Sequence, residues 1–233
     1  VLALAATLLG LMEFFRLANV QRFWVHKAPS LALGGLMILL GWNNQTFVIT
    51  TLAVATPLAL LLSYRLLQPS ILPWLLALIG PMYLGATLAH GPLLRRFDDG
   101  TSWLLLPILA TFAVDTSAYF AGTLIGRHKI APQLSPGKTW EGTVAGIACG
   151  IIATTILIPS LGLQVPFWAS ALLGATIGVV AILGDLLESG IKRMANMKDA
   201  GSIIPGHGGL LDRLDSIMFN LVVVYHFASW TIV

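Results

Sequence analysis

The chain has 233 residues, 57% of them apolar and only 10% charged, with a formal net charge of +3. Soluble domains carry about 25% charged residues, and the mean hydropathy here is +0.86, so a globular domain with a single anchor is excluded. The composition predicts a multi-pass membrane protein. The basic pI near 9.3 comes without any basic run interleaved with aromatics, so no nucleic acid is expected as a partner.

A spanning helix needs about 20 apolar residues. Eight segments qualify: 1–18, 29–42, 46–64, 71–90, 103–126, 140–161, 167–189 and 214–233. The second is the shortest, and Pro73 and Pro81 mark the fourth as a kinked helix. The fold class is therefore all-α, a polytopic membrane helix bundle of about eight transmembrane helices. No internal repeat or long linker interrupts residues 1–233, which read as a single integral membrane domain. With Val at its start, the chain is expected to be a fragment or a processed form. The first apolar run is too long for a signal peptide and lacks its cleavage pattern.

Charge sets the orientation. With the Arg127–Lys138 loop in the cytoplasm, alternation places eleven of the thirteen Lys and Arg residues on that side; only Arg95 and Arg96 fall outside. Both termini are then external, and residues 184–216 face the cytosol.

The N-terminal half carries little legible chemistry. Glu13 lies in the first apolar run and reads as an interfacial carboxylate near Arg16. His26, His90 and His226 are isolated and read as interfacial or hydrogen-bonded histidines. Cys149 is the only cysteine, which leaves no intramolecular disulfide and no cysteine zinc site.

Asp115 is the first strong signal. It lies deep in the fifth apolar segment, in Val114-Asp115-Thr116-Ser117. A charge at mid-bilayer costs at least about 2.5 kcal/mol, so Asp115 is expected to face the site and place metal or substrate. Ser135-Pro136-Gly137-Lys138-Thr139-Trp140-Glu141-Gly142 follows. Its Gly-Lys-Thr is not a P-loop, because Pro132 stands where the first glycine belongs. It reads instead as a loop feeding a helix that begins near Thr139. Ser135, Lys138 and the helix N-terminus would favour an anion.

Residues 184–216 hold five of the ten acidic residues and four of the basic ones. Read as a helix, Asp185, Glu188, Ser189 and Lys192 share one face. That face presents two carboxylates, a hydroxyl and an ammonium to a site; the plainer alternative for Glu188, four residues before Lys192, is a helix-surface ion pair. Pro205-Gly206-His207-Gly208-Gly209 is a loop whose N–H groups can converge on an anion. Asp212 and Asp215 then share a face. Carboxylates, basic side chains and a glycine loop suit magnesium holding a phosphate or pyrophosphate.

The run Ser189-x-Ile191-Lys192-Arg193-x4-Lys198-Asp199-x-Gly201-x2-Ile204-Pro205-x-His207-Gly208-Gly209-Leu210-x-Asp212-Arg213-Leu214-Asp215 resembles the complete signature of the phosphatidate cytidylyltransferase (CDP-diacylglycerol synthase) family. The Ser135–Gly142 motif resembles a second family motif. Thr123 departs from the pattern, standing where many members carry a basic residue, so one peripheral phosphate contact is not expected.

The resemblance implies an integral membrane enzyme of phospholipid biosynthesis. It would join CTP and phosphatidate, giving CDP-diacylglycerol and pyrophosphate at a bacterial inner membrane, and work as a homodimer. It carries Asp185 and Asp212 as metal-site residues for Mg2+, with Asp215 and Asp199 as weaker candidates and room for a second cation. Asp185, Lys192, Asp212 and Ser189 are the expected catalytic residues. Arg193, Lys198 and Arg213 are expected on phosphates, with His207, Gly208 and Gly209 adding hydrogen bonds.

Overall fold

The computed structural model describes residues 2–17, 24–43, 46–53, 55, 72–194, 197 and 209–232. The chain divides into two compact units: Val1–Leu93 with Gly190–Leu214, and Leu94–Ser189 with Asp215–Val233.

The first unit contains α1 (Leu2–Leu17), α2 (Trp24–Trp42), a helical stretch at 46–53, α3 (Leu72–Leu88), α4 (His90–Leu94) and, from the far end of the chain, α8 (Leu211–Leu214). The second helix begins at Trp24, five residues earlier than its apolar run, and so is longer than predicted. Leu11, Phe14, Phe15, Ile49, Tyr83 and Leu84 are fully buried, and the rings of Phe14 and Tyr83 lie 6.4 Å apart. Where α2 meets α3, a Cβ on Gly85 would sit 2.8 Å from the Met37 Cβ and 3.0 Å from the Gly34 carbonyl. These small residues therefore bring the two backbones close. His90 is buried and hydrogen-bonded: Nδ1 donates to the Ala86 carbonyl at 2.9 Å, and Nε2 faces the Thr50 hydroxyl at 3.2 Å.

The second unit contains α5 (Gly100–Leu124), β1 (Lys129–Ala131), β2 (Ser135–Thr139), α6 (Trp140–Ser160), α7 (Phe167–Met194, which runs past the unit boundary at Ser189) and α9 (Ile217–Ile232). Among the described residues, α5, α6 and α7 are long and apolar enough to cross a membrane. Gly142, Gly146 and Gly150 recur every four residues along α6. A Cβ at Gly142 would lie 2.6 Å from the Ala118 carbonyl of α5, and one at Gly150 would lie 2.6 Å from the Gly174 carbonyl of α7. The stripe therefore lets α6 approach both neighbours at backbone distance. Buried polar bonds add direction to this apolar packing. Thr154 Oγ1 donates to the Ser170 carbonyl at 2.8 Å, and Asn220 Nδ2 donates to Thr111 Oγ1 at 2.8 Å. Leu105, Leu109, Phe112, Ile152, Ile156 and Leu172 point outward and are exposed, as lipid-facing side chains are.

The hairpin is the departure from an all-α fold. β1 and β2 pair antiparallel, Lys129 with Thr139 and Ala131 with Ser135, with an irregular register between them. The expected start of the following helix is found: Thr139 is the N-cap, its hydroxyl accepting from the Gly142 N–H at 3.2 Å. Glu141, in the first turn, accepts from His128 Nδ1 at 2.6 Å and from the His128 N–H at 3.2 Å. That carboxylate ties the first strand to the helix that follows the second.

Candidate active site

The second unit gathers carboxylates at the C-terminal part of α7. Asp185 and Glu188 lie one turn apart on that helix, and Asp215 comes from the turn that opens α9. One carboxylate oxygen from each falls within 4.8 Å of the others. Glu188 is fully buried and Asp215 is 9% exposed. The turn can lie this close because residue 184 is glycine: a Cβ there would meet the Asp215 carbonyl at 2.7 Å. Ser216 fixes the turn, its N–H donating to Asp215 Oδ1 at 2.7 Å and its hydroxyl to the Ala181 carbonyl at 3.0 Å.

Three carboxylates this close, partly withdrawn from water, repel one another strongly. Lys138 offsets part of that charge. From the end of β2 its Nζ lies 2.5 Å from Asp185 Oδ2, and both side chains are partly buried. The Ser189 hydroxyl donates to Asp185 Oδ1 at 3.4 Å. Asp115, on the exposed side of α5, interacts electrostatically with Asp215, Asp185 and Lys138. The two motifs separated in sequence thus converge within one unit. Ser135, at the start of β2, is partly exposed.

The first unit holds a second arrangement. Lys192 Nζ donates to Asp212 Oδ1 at 2.7 Å, each side chain being 14% exposed. Asp212 Oδ2 accepts from the Gly209 N–H at 2.8 Å. The described end of the glycine loop thus directs its N–H to a carboxylate of the chain itself. Arg193 and Arg213 are exposed. Lys198, Asp199, His207 and Gly208 lie outside the described residues.

Two acidic residues, Glu188 and Glu13, are buried beyond what spacing alone indicates. Glu188 is not a helix-surface group: it is 0% exposed and belongs to the carboxylate trio. Helical spacing placed it on the face of Asp185, but Asp215, which shares its burial, comes from another element. Glu13 is held inside the first unit. It is 3% exposed and accepts from the Leu210 N–H at 3.0 Å and the Leu211 N–H at 2.8 Å. The available signal was an acid inside an apolar run, since a buried charge requires partners. Those partners lie almost 200 residues away, beyond the reach of spacing.

A family model described as the cytidylyltransferase family matches residues 1–231. The chain belongs to the cytidylyltransferase family. This cytidylyltransferase is 33% identical over 231 residues to a protein of Staphylococcus saprophyticus named phosphatidate cytidylyltransferase, covering 95% of this chain and 87% of that one. A protein of the same name from Staphylococcus haemolyticus is 34% identical over 230 residues, or 94% and 86% of the two chains. A third, from Mycobacterium bovis, is 40% identical over 137 residues, covering 59% of this chain and 44% of its own. The chain is accordingly a nucleotidyltransferase.

Proposed function

We propose that the chain transfers the cytidylyl group of CTP to phosphatidate, giving CDP-diacylglycerol and pyrophosphate. The observation that carries this reading is the meeting of Asp185, Glu188 and Asp215 with Lys138 in a chain whose relatives are named for that reaction. A phosphate oxygen of phosphatidate attacks the α-phosphorus of CTP, forming a P–O bond. The bond from that phosphorus to the bridging oxygen breaks, and pyrophosphate leaves with the electron pair. The nucleophile is already anionic, so catalysis needs position and charge neutralisation rather than a strong base.

Hard carboxylate oxygens at this spacing fit magnesium. Asp185, Glu188 and Asp215 would hold it, with Asp212 assigned as a further ligand by the signature and Asp199 as a weaker one. When bound, the cation supplies charge neutralisation at the triphosphate, and a second cation suits in-line displacement. Lys138, Lys192, Arg193, Lys198 and Arg213 bind phosphate oxygens, while Ser135, Ser189, His207 and Gly208 add hydrogen bonds. Gly209 acts through Asp212, and Asp115 orients Lys138 and the carboxylates. The chain is proposed to act as one catalytic domain of eight spans in a bacterial inner membrane, to face cytosolic CTP, and to form a homodimer.

The test is to purify the protein in detergent and supply α-labelled CTP, phosphatidate and magnesium. Label should enter a lipid-soluble product as pyrophosphate appears. Asp185→Asn and Asp212→Asn should each lower turnover by orders of magnitude while the protein stays folded. Label that never becomes lipid-soluble would overturn the reaction, and near-normal turnover in either variant would overturn that residue's role.

A further inference from the structure

We infer that Glu13, on the first helix, is a positioning residue for the reaction: it holds the backbone at Leu210 and Leu211 and thereby sets the orientation of Asp212. This rests on the reading of Asp212 as a site residue. Glu13 is 3% exposed, inside a helix with no other charged residue before Arg16. A buried carboxylate is tolerated only where its oxygens are well bonded. Here Oε1 accepts from the Leu210 N–H at 3.0 Å and Oε2 from the Leu211 N–H at 2.8 Å. One residue earlier, the Gly209 N–H donates to Asp212 Oδ2 at 2.8 Å, while Lys192 holds Oδ1 at 2.7 Å.

Three consecutive N–H groups are thus shared between two carboxylates, one from α1 and one from the signature. Shifting the Leu210–Leu211 backbone would carry Gly209 with it and change a bond that aims Asp212. The identity of residue 209 supports the same arrangement. A Cβ there would come within 2.6 Å of Glu13 Oε2 and 2.8 Å of Oε1, so a side chain at this position would push the carboxylate away from its two N–H donors. The constraint is one of space.

Glu13→Gln tests this with little change in volume. Its amide nitrogen would face one of the two N–H donors, which cannot bond to it. In detergent-purified full-length protein, the segment containing Leu210 and Leu211 should exchange its amide hydrogens faster, with the rest of α1 unchanged. Turnover per folded molecule should fall by about 10–100-fold, as for other groups that orient a site residue. Combined with Asp212→Asn, the substitution should cost less than about twofold beyond Asp212→Asn alone, whereas independent effects would multiply. Gly209→Ala approaches the same contact from the loop side and should raise exchange at the same amides, which covers the case of a Glu13 variant that does not fold.

Unchanged exchange in both variants would overturn the hold on the loop. Faster exchange with wild-type turnover, or losses that multiply with Asp212→Asn, would overturn the positioning role. Full activity of Asp212→Asn would instead overturn the reading of Asp212 and leave the hold on the loop standing.

Discussion

Lys138 Nζ lies 2.5 Å from Asp185 Oδ2, joining the end of a β-strand to a transmembrane helix 47 residues further along the chain. The strand is short, but its pairing with β1 and the Thr139 cap on α6 fix where the lysine begins. The ammonium meets one of three clustered carboxylates. That contact links the two motifs that the sequence presents separately.

Removing the charge at that contact should have a measurable cost. Lys138→Met keeps most of the apolar stem and deletes the ammonium. Loss of one positioned charge is expected to lower kcat/KM for CTP by about 100-fold or more, the scale of a single lost electrostatic stabiliser. Lys138→Arg should recover only part of it, because a planar guanidinium cannot reproduce a point charge. Steady-state kinetics with varied CTP would decide, and wild-type values for Lys138→Met would remove this lysine from the site.

The Lys192–Asp212 pair predicts a stability signature. Both side chains are only 14% exposed, so deleting one partner leaves the other charged and poorly solvated. Lys192→Met should destabilise by about 3 kcal/mol, the low end for broken buried pairs. Lys192→Met with Asp212→Leu should restore a substantial part of that loss, because neither member of the pair is then left charged without the other. Unfolding of the purified variants in detergent gives the comparison. Equal stability of Lys192→Met and the double variant would show that the Asp212 carboxylate left behind carries no penalty.

The glycine stripe on α6 predicts a steric effect. Gly150→Val would drive a side chain into the Gly174 carbonyl, which already lies 2.6 Å from the position of a Cβ. Overpacking of this kind costs about 1–3 kcal/mol, and the melting temperature should fall accordingly. Gly137→Ala in the hairpin is the control: a Cβ there meets nothing within 4 Å, so its melting temperature should stay near wild type. A Gly150→Val protein as stable as wild type would mean that α6 and α7 do not need backbone contact.

Much was legible in the residues alone. Apolar runs of spanning length announce helices, and the described parts of the predicted segments are largely helical, with turns at Ala89, Ile125, Leu161 and Asp215–Ser216. The concentration of charge between Gly184 and Ser216 marks a site because charge beside lipid is costly. The Gly142-x3-Gly146-x3-Gly150 spacing drew no expectation from the residues alone, although small residues at that interval permit close helix contact. The β1–β2 hairpin was not legible, since strands of three and five residues are too short to show a hydrophobic period.

Sequence by itself determined the helical character of the chain, the residues with chemistry to offer and the family to which they belong, because these depend on composition and local spacing. Only the tertiary structure decided which carboxylates meet. It brought Glu188 and Asp215 together from separate elements, and it turned Glu13 from a stray acid into a clasp on Leu210 and Leu211. The reason is physical. A buried charge must find partners, but desolvation specifies only that it needs them, and the packing of helices distant in sequence determines which ones it receives.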